Sequence, residues 1–147
     1  MATRRRLKTV VGIQQAQDDL IEEFQLFDNW LDKYQYLIDL GRKLPDFPDQ
    51  FRTDDNKLHG CQSQVWLHAT ESSGNLKFHA ISDSAIVSGL IAVLLRVYTN
   101  RSPQEILATE PDFINAIGLD EHLSPTRSNG LHAMIDAIRG HAVRCAG

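Results

Sequence analysis

The longest apolar stretch of the chain, from Ala85 to Tyr98, is the feature that most constrains the fold. Only Ser88, Gly89 and Arg96 interrupt it. A helix that crosses a bilayer needs about 20 consecutive apolar residues, and this stretch is shorter. It therefore predicts a helix buried in the core of a globular domain, and no membrane-spanning segment.

Apolar residues also recur at helical spacing before this stretch. Two amphipathic helices are predicted there from two sets of residues: Ile13, Ala16, Leu20, Ile21, Phe24 and Phe27, then Trp30, Leu31, Tyr34, Leu37 and Ile38. Asp28 is the predicted N-cap of the second helix, and Gly41 is predicted to end it. Ser82, Asp83 or Ser84 is predicted to cap the apolar helix.

Helix signals continue towards the C-terminus. Ser102-Pro103 and Ser124-Pro125 each combine a capping serine with a first-turn proline, which predicts two helix starts. Between them, residues 113–117 predict a short helix that Gly118 ends. The last helix has an inward apolar stripe formed by Leu131, Met134, Ile135 and Ile138.

Residues 65–80 alternate instead with a period of two. Val65, Leu67 and Ala69 fall on one face, and the alternation resumes at Leu76 after the small residues at positions 72–75. This pattern predicts an antiparallel hairpin. The fold class predicted is therefore α+β: a single compact domain with a small antiparallel sheet packed against several helices. Residues 1–12 are predicted to be a flexible basic tail, and residues 13–147 the domain.

Charge and cysteine content narrow the classes of function. The chain has 147 residues and a formal net charge of −4, and four of its 15 basic residues lie in the first eight positions. Nucleic-acid binding is therefore disfavoured. No apolar run follows those basic residues, which disfavours a secretory signal. Two cysteines, Cys61 and Cys145, are too few for a disulfide framework and fit the cytoplasm, and a bridge between them is disfavoured.

Cys61 is the strongest functional lead because it follows Gly60 directly and precedes the first predicted strand. Glycine admits backbone conformations closed to other residues and leaves space beside the sulfur. The reactive form of cysteine is the thiolate, which His59 or Arg127 would favour if folding brought a positive charge near. The competing interpretation is an inert, small apolar residue. The histidines lack zinc-type spacing, so no metal site is predicted.

The sequence GCQSQVWL at residues 60–67 closely resembles the signature around the acceptor cysteine of the SufE family of sulfur-transfer proteins. The resemblance continues through residues 82–94 and 123–131, and upstream through residues 36–41 and 44–45. These segments cover nearly the whole chain beyond the basic tail, in the expected order.

The resemblance implies that Cys61 accepts persulfide sulfur from a separate, pyridoxal-phosphate-dependent cysteine desulfurase. The protein would stimulate that enzyme and pass the sulfur to an iron–sulfur cluster scaffold. It would bind no cofactor itself. A loop that hides Cys61 at rest and extends into the partner is the accompanying hypothesis.

The resemblance also suggests supporting residues. Asp83 matches an acidic position of the family. It is expected to cap the apolar helix, to hold the cysteine loop or to contact the desulfurase. Arg127 binds the partner, orients the loop or forms a structural salt bridge. Gly60, Gln62 and Gln64 are expected to shape the loop or contact the partner, whereas His59 stands where relatives commonly carry proline. Trp66 is expected to pack in the core.

Three alternatives remain at this point. The chain is a noncatalytic module that regulates a desulfurase by docking alone, a paralogue that serves another sulfur-transfer pathway, or an independent cysteine enzyme such as a peroxidase or hydrolase. The last would need an activating context around Cys61, and no catalytic triad is recognisable. The sequence leaves self-association and the identity of the desulfurase open.

Overall fold

The structure is a computed structural model that describes residues 12–146. The predicted basic tail lies almost entirely outside the described residues. Within them the chain forms seven α-helices and one two-stranded sheet, together with short 3-10 turns at Asp49–Phe51 and Asp54–Asn56. The elements are α1 (Ile13–Gln25), α2 (Trp30–Arg42), β1 (Val65–Ser72), β2 (Asn75–Ser82), α3 (Ala85–Tyr98), α4 (Pro103–Ala108), α5 (Phe113–Ile117), α6 (Leu119–His122) and α7 (Pro125–Ala146).

Helix α3, the predicted apolar helix, runs through the core. Leu90, Val93 and Val97 are at most 1% exposed. Between residues 12 and 146, no helix is long and apolar enough to span a membrane. The N-cap of α3 is Ser84, whose hydroxyl accepts a hydrogen bond from the amide of Val87. The predicted buried helix is thus confirmed, and the structure selects one of its three candidate caps.

Helix α2 crosses α3 at very short distance because glycines meet at the crossing. A Cβ atom at Gly41 would lie 2.7 Å from the backbone nitrogen of Gly89, and one at Gly89 would lie 2.2 Å from the carbonyl oxygen of Leu37. The prediction that Gly41 ends α2 is wrong, since the helix continues to Arg42. Gly41 is needed for close packing between helices.

The N-cap predicted for α2 is also corrected. Asn29, and not Asp28, is the capping residue, because its side-chain oxygen accepts a hydrogen bond from the amide of Asp32 at 2.9 Å. Both residue types are good caps, so the sequence favours neither strongly.

The predicted hairpin is present and antiparallel, with Leu67 opposite Ala80. Its turn residues Ser73 and Gly74 both have positive φ, which suits the right-handed twist of the strands. The inner face carries Val65, Leu67, Leu76, Phe78 and Ala80, all buried in the core. Trp66 lies on the other face, half-buried, with Arg52 and Lys57 within 6 Å of its ring, so the prediction that it packs in the core is wrong.

Helix α7 closes the domain with the predicted stripe, and Leu131, Met134, Ile135 and Ile138 are all at most 4% exposed. It also holds α4 in place, because the Arg139 guanidinium donates hydrogen bonds to the carbonyl groups of Ile106, Leu107 and Thr109. The first turns of α7 face the loop that carries Cys61.

Candidate functional site

Cys61 lies in the loop that enters β1, and its backbone is shaped by the residue before it. Gly60 has a φ of +89°, in the left-handed region that other residues rarely adopt. A Cβ atom there would meet only Ala133, at an ordinary contact distance of 3.8 Å. Backbone conformation, and not lack of space, therefore explains why glycine precedes the cysteine.

A different glycine, Gly130, contacts the sulfur. The Cys61 Sγ lies 3.9 Å from the carbonyl oxygen of Gly130 in α7 and donates a weak hydrogen bond to it. A Cβ atom at Gly130 would lie 3.6 Å from the same sulfur. Sequence reasoning missed this contact. The signal available was the glycine within the 123–131 segment that carries the family resemblance.

A cavity of about 340 Å³ adjoins the sulfur. Its walls combine apolar side chains from α3 and α7 with a polar rim; the lining residues are Cys61, Gln62, Ser63, Val87, Leu90, Ser124, Thr126, Arg127, Gly130, Leu131 and Met134. The cavity has room for an atom added to the thiol. Two predicted site residues, Gln62 and Arg127, thus share the cavity with Cys61.

Burial raises the pKa of the Cys61 thiol. Arg127 lines the same cavity as Cys61, but its guanidinium forms no ion pair or hydrogen bond among the described residues, and burial is the cause of the raised pKa. His59 is exposed on the loop and is not part of the cavity wall. A raised pKa favours the neutral thiol over the reactive thiolate in this position.

Asp83 holds the end of the cysteine loop. The amide of Gln64 donates a hydrogen bond to the Asp83 carboxylate at 3.0 Å, and the amide of Asp83 faces the Gln64 carbonyl at 3.4 Å. Because Ser84 is the N-cap of α3, Asp83 does not have that role. The carboxylate instead ties the loop, three residues beyond Cys61, to the start of the buried helix.

Cys145 is exposed near the end of α7, and both cysteines are free thiols. Cys61 contacts Gly130, and Cys145 lies roughly fifteen residues further along the same helix, which corresponds to about 22 Å. A disulfide requires Cα atoms within about 7 Å. The fold therefore keeps the two thiols apart.

The described part of the chain contains no cluster of three or more His, Cys, Asp or Glu residues that could hold a metal ion. The Asp120 carboxylate lies 3.0 Å from His132 Nε2 and accepts a hydrogen bond from the Ser128 hydroxyl. This group joins α6 to α7. What the site offers chemically is one sheltered thiol beside a cavity, a polar rim and a tethered loop.

The fold and the site together describe a small α+β protein that carries one partly sheltered thiol on a loop. Comparison with known sequences identifies its family. Residues 18–142 match the SufE family, described as an Fe-S metabolism associated domain. An uncharacterized SufE-like protein of Rhizobium meliloti is 43% identical over 130 residues, covering 85% of this chain and 93% of that protein. One from Rhizobium etli is 43% identical over 136 residues, covering 88% and 91%.

The fold has a solved counterpart. The solution structure of a hypothetical protein from Thermus thermophilus matches with a TM-score of 0.74 over 89% of this chain and 96% of that one, at 22% identity. That likeness concerns the fold alone. The sequence matches carry the assignment, and the chain belongs to the SufE family, which connects it with iron–sulfur metabolism and sulfur transfer.

Proposed function

We propose that Cys61 accepts persulfide sulfur from a separate cysteine desulfurase, stimulates that enzyme by draining its persulfide, and delivers the sulfur to an iron–sulfur cluster scaffold. The observation that carries this proposal is the position of the thiol: its sulfur borders a cavity of about 340 Å³. Pyridoxal phosphate belongs to the partner enzyme, and this chain itself needs no cofactor for the exchange. Its place of action is the cytoplasm, with that partner.

The transfer is a thiol–disulfide type exchange. The Cys61 thiolate attacks the outer sulfur of the donor persulfide, a new sulfur–sulfur bond forms on Cys61, and the donor cysteine leaves as a thiolate. One sulfur atom moves, and no external oxidant or reductant is required. The proton lost by Cys61 balances the one that the donor thiolate takes up.

The attack is easier once Cys61 leaves its half-buried position. Burial raises the pKa of the thiol, so ionisation is easier once the loop exposes it. Extension of the loop breaks the weak hydrogen bond with Gly130 and the packing of Cys61 against the core, and it strains the tie between Gln64 and Asp83. We therefore propose that the desulfurase draws the loop out and so activates the cysteine.

Return of the loop then protects the persulfide on Cys61. The outer sulfur of the persulfide would occupy the cavity, where the apolar walls from Val87, Leu90 and Met134 restrict access by water and small thiols. Arg127 and Gln62 at the rim are the side chains available to contact the partner or to hold the loop. This arrangement favours a carrier over an enzyme that turns over its own substrate.

The test is intact-protein mass spectrometry after incubation with an active cysteine desulfurase and cysteine. Wild-type protein and Cys145→Ser are expected to gain the mass of one sulfur atom, and Cys61→Ser is expected to gain none while unfolding at the same temperature. A wild-type protein that gains no sulfur would refute the proposal. If Cys61→Ser still stimulates the desulfurase, the protein would instead be a module that regulates the enzyme by docking alone.

A companion experiment addresses the pathway. Each cysteine desulfurase of the source cell is loaded with labelled sulfur and mixed with the protein, and the label on Cys61 is measured. We expect one desulfurase to transfer efficiently and to pass label onward to a cluster scaffold. Onward transfer to a different acceptor would place the protein in another sulfur-transfer pathway.

A further inference from the structure

The outer edge of β2 is paired only at its beginning. The amide of Leu76 donates to the carbonyl of Arg101 at 2.8 Å, the amide of Asn100 donates to the carbonyl of Leu76, and the amide of Phe78 donates to the hydroxyl of Thr99. Beyond Phe78 this edge has no further partner between residues 12 and 146.

The hairpin register determines which backbone groups lie on that edge. Residues 72 and 75 close a two-residue turn, so the residues of β2 alternate between pairing with β1 and facing away from it. Leu76 and Phe78 face away, as their bonds to residues 99–101 demonstrate, and Ala80 follows in the same phase. The carbonyl of Phe78 and both backbone groups of Ala80 therefore point to this edge without a hydrogen-bond partner among the described residues, although Phe78 and Ala80 as whole residues are 3% and 7% exposed.

A groove of about 550 Å³ runs along this open edge, between β2, α3 and residues 44–48. Its apolar surface comes from Leu40, Leu44, Phe47, Phe78, Ala80, Ala92 and Leu95. Ala92 and Leu95 are partly exposed on α3, although they belong to the most apolar helix of the chain. The groove shares no lining residue with the cavity beside Cys61.

The rim of the groove is positively charged. Lys43 and Lys77 are exposed, and neither forms an ion pair within the described part of the chain. Arg96 also borders the groove but is engaged by Glu23 at 2.5 Å, and Asp46 contributes one negative charge. The two lysines leave the rim complementary to acidic groups.

We infer that the open edge of β2 binds an extended segment of a partner protein as an added strand, in which acidic side chains alternate with apolar ones. The segment's backbone would pair with Phe78 and Ala80. Its apolar side chains would point to the inner face, against Ala92 and Leu95. Its acidic side chains would point to the other face, beside Lys77. An aliphatic anion fits the charge and the apolar surface but leaves the backbone groups unpaired.

Fluorescence anisotropy tests this inference with a labelled, end-blocked octapeptide of alternating Glu and Val. Saturable binding is expected for that peptide, and none for a Lys and Val peptide of the same pattern. The double variant Lys43→Glu/Lys77→Glu is expected to weaken binding about tenfold or more, since two attractive pairs become repulsive. Lys33→Glu, a single charge reversal beside Trp30 and away from the groove, is expected to bind normally.

Backbone pairing is tested separately from charge. Methylation of those backbone nitrogens of the Glu and Val peptide that would face β2 is expected to abolish binding. Binding of the unmethylated peptide is expected to slow hydrogen exchange at the Ala80 amide. Ala80→Pro removes the outward donor, a position where an edge strand accepts proline. If that variant fails to fold, the methylated peptide tests the same hydrogen bonds.

Several results would overturn the inference: equal binding of the methylated and unmethylated peptides, unchanged exchange at Ala80, or no binding of the Glu and Val peptide. Decanoate that binds the groove where the peptide does not would identify a small amphiphile as the occupant. Self-association that Lys43→Glu/Lys77→Glu abolishes would identify a second copy of this chain. Sulfur acceptance on Cys61 is expected to be normal in the double variant, so the two proposals fail independently.

Discussion

At the scale of single residues, the chemistry depends on how Cys61 combines a neutral thiol with open space. Reactive cysteines often have a lowered pKa because a positive charge stabilises the thiolate. Here burial raises the pKa, and the sulfur touches the carbonyl oxygen of Gly130. Reactivity therefore depends on the position of the loop, which suits a group that must react with a partner and resist other reagents.

The alkylation rate of Cys61 tests this state directly. In Cys145→Ser, which leaves a single thiol, iodoacetamide is expected to react with the folded protein more slowly at neutral pH than with the same protein unfolded in urea. The midpoint of the pH–rate profile is expected above about 8.5, the ordinary value for cysteine. The profile of folded and unfolded protein is followed by mass spectrometry. A folded-state midpoint below the unfolded one would contradict the burial argument.

At the scale of elements, the restraint on the cysteine loop and the cap of helix α3 come from two different residues. Asp83 accepts the hydrogen bond from Gln64, and the adjacent Ser84 caps the helix. Two neighbouring residues thus have different structural roles, although from the sequence both were candidate caps.

Asp83→Ala is expected to loosen the loop without removing the cap. Hydrogen exchange at the Gln64 amide and alkylation of Cys61 should both accelerate severalfold, because the bond that holds the loop is lost. Ser84→Ala is the matched control: it should cost about 1 kcal/mol of stability and leave alkylation of the folded protein unchanged. Equal alkylation rates in Asp83→Ala and wild type would show that this bond does not restrain Cys61.

The crossing of α2 and α3 yields a prediction of stability. Gly89→Ala is expected to lower the free energy of unfolding by about 3 kcal/mol, because the new Cβ would overlap the Leu37 carbonyl and push the helices apart. Gly140→Ala in α7 is the control, since its Cβ would meet only the end of the flexible Arg144 side chain, at 3.6 Å. Urea denaturation measures both. A Gly89→Ala protein as stable as Gly140→Ala would refute the steric argument.

At the scale of the whole molecule, one ion pair connects three helices. The Arg96 guanidinium of α3 donates two hydrogen bonds to the Glu23 carboxylate of α1, and the Tyr36 hydroxyl of α2 donates another. The hydrogen bond from Arg96 is the main reason that the pKa of Glu23 is lowered. Because the folded-state pKa is the lower one, the pair stabilises the fold above the unfolded pKa of about 4.3, and that contribution is lost as the pH falls further.

Glu23→Gln is therefore expected to reduce the difference in unfolding free energy between neutral pH and pH 3. The reduction should be at most about 1 kcal/mol, since water screens a pair whose side chains are 38% and 30% exposed. Urea denaturation at the two pH values measures it. Asp39→Asn, at the more exposed pair with Arg42, is the control and should behave as wild type. An unaltered pH dependence in Glu23→Gln would contradict the assignment.

Local patterns in the sequence predicted the elements because each pattern acts within a few residues. The apolar run gave α3, the alternation with its small-residue turn gave the hairpin, and Ser102-Pro103 gave the start of α4, all confirmed. The errors came where the outcome depends on distant partners. Gly41 was predicted to end α2 because the sequence does not show its contact with Gly89 in another helix. Trp66 was predicted to pack in the core, but it lies on the outer face of the hairpin beside Arg52 and Lys57.

By itself, the sequence determined the α+β class, the family and the cysteine on which the proposed function depends. Only the tertiary structure decided the state of that cysteine. The partner of its sulfur is the carbonyl group of Gly130, 69 residues away, and the restraint on its loop comes from Asp83. The tertiary structure also revealed the unpaired edge of β2 and the groove beside it. Cavities, raised pKa values and free strand edges arise from contacts between segments far apart in the chain, and local periodicity carries no information about such contacts.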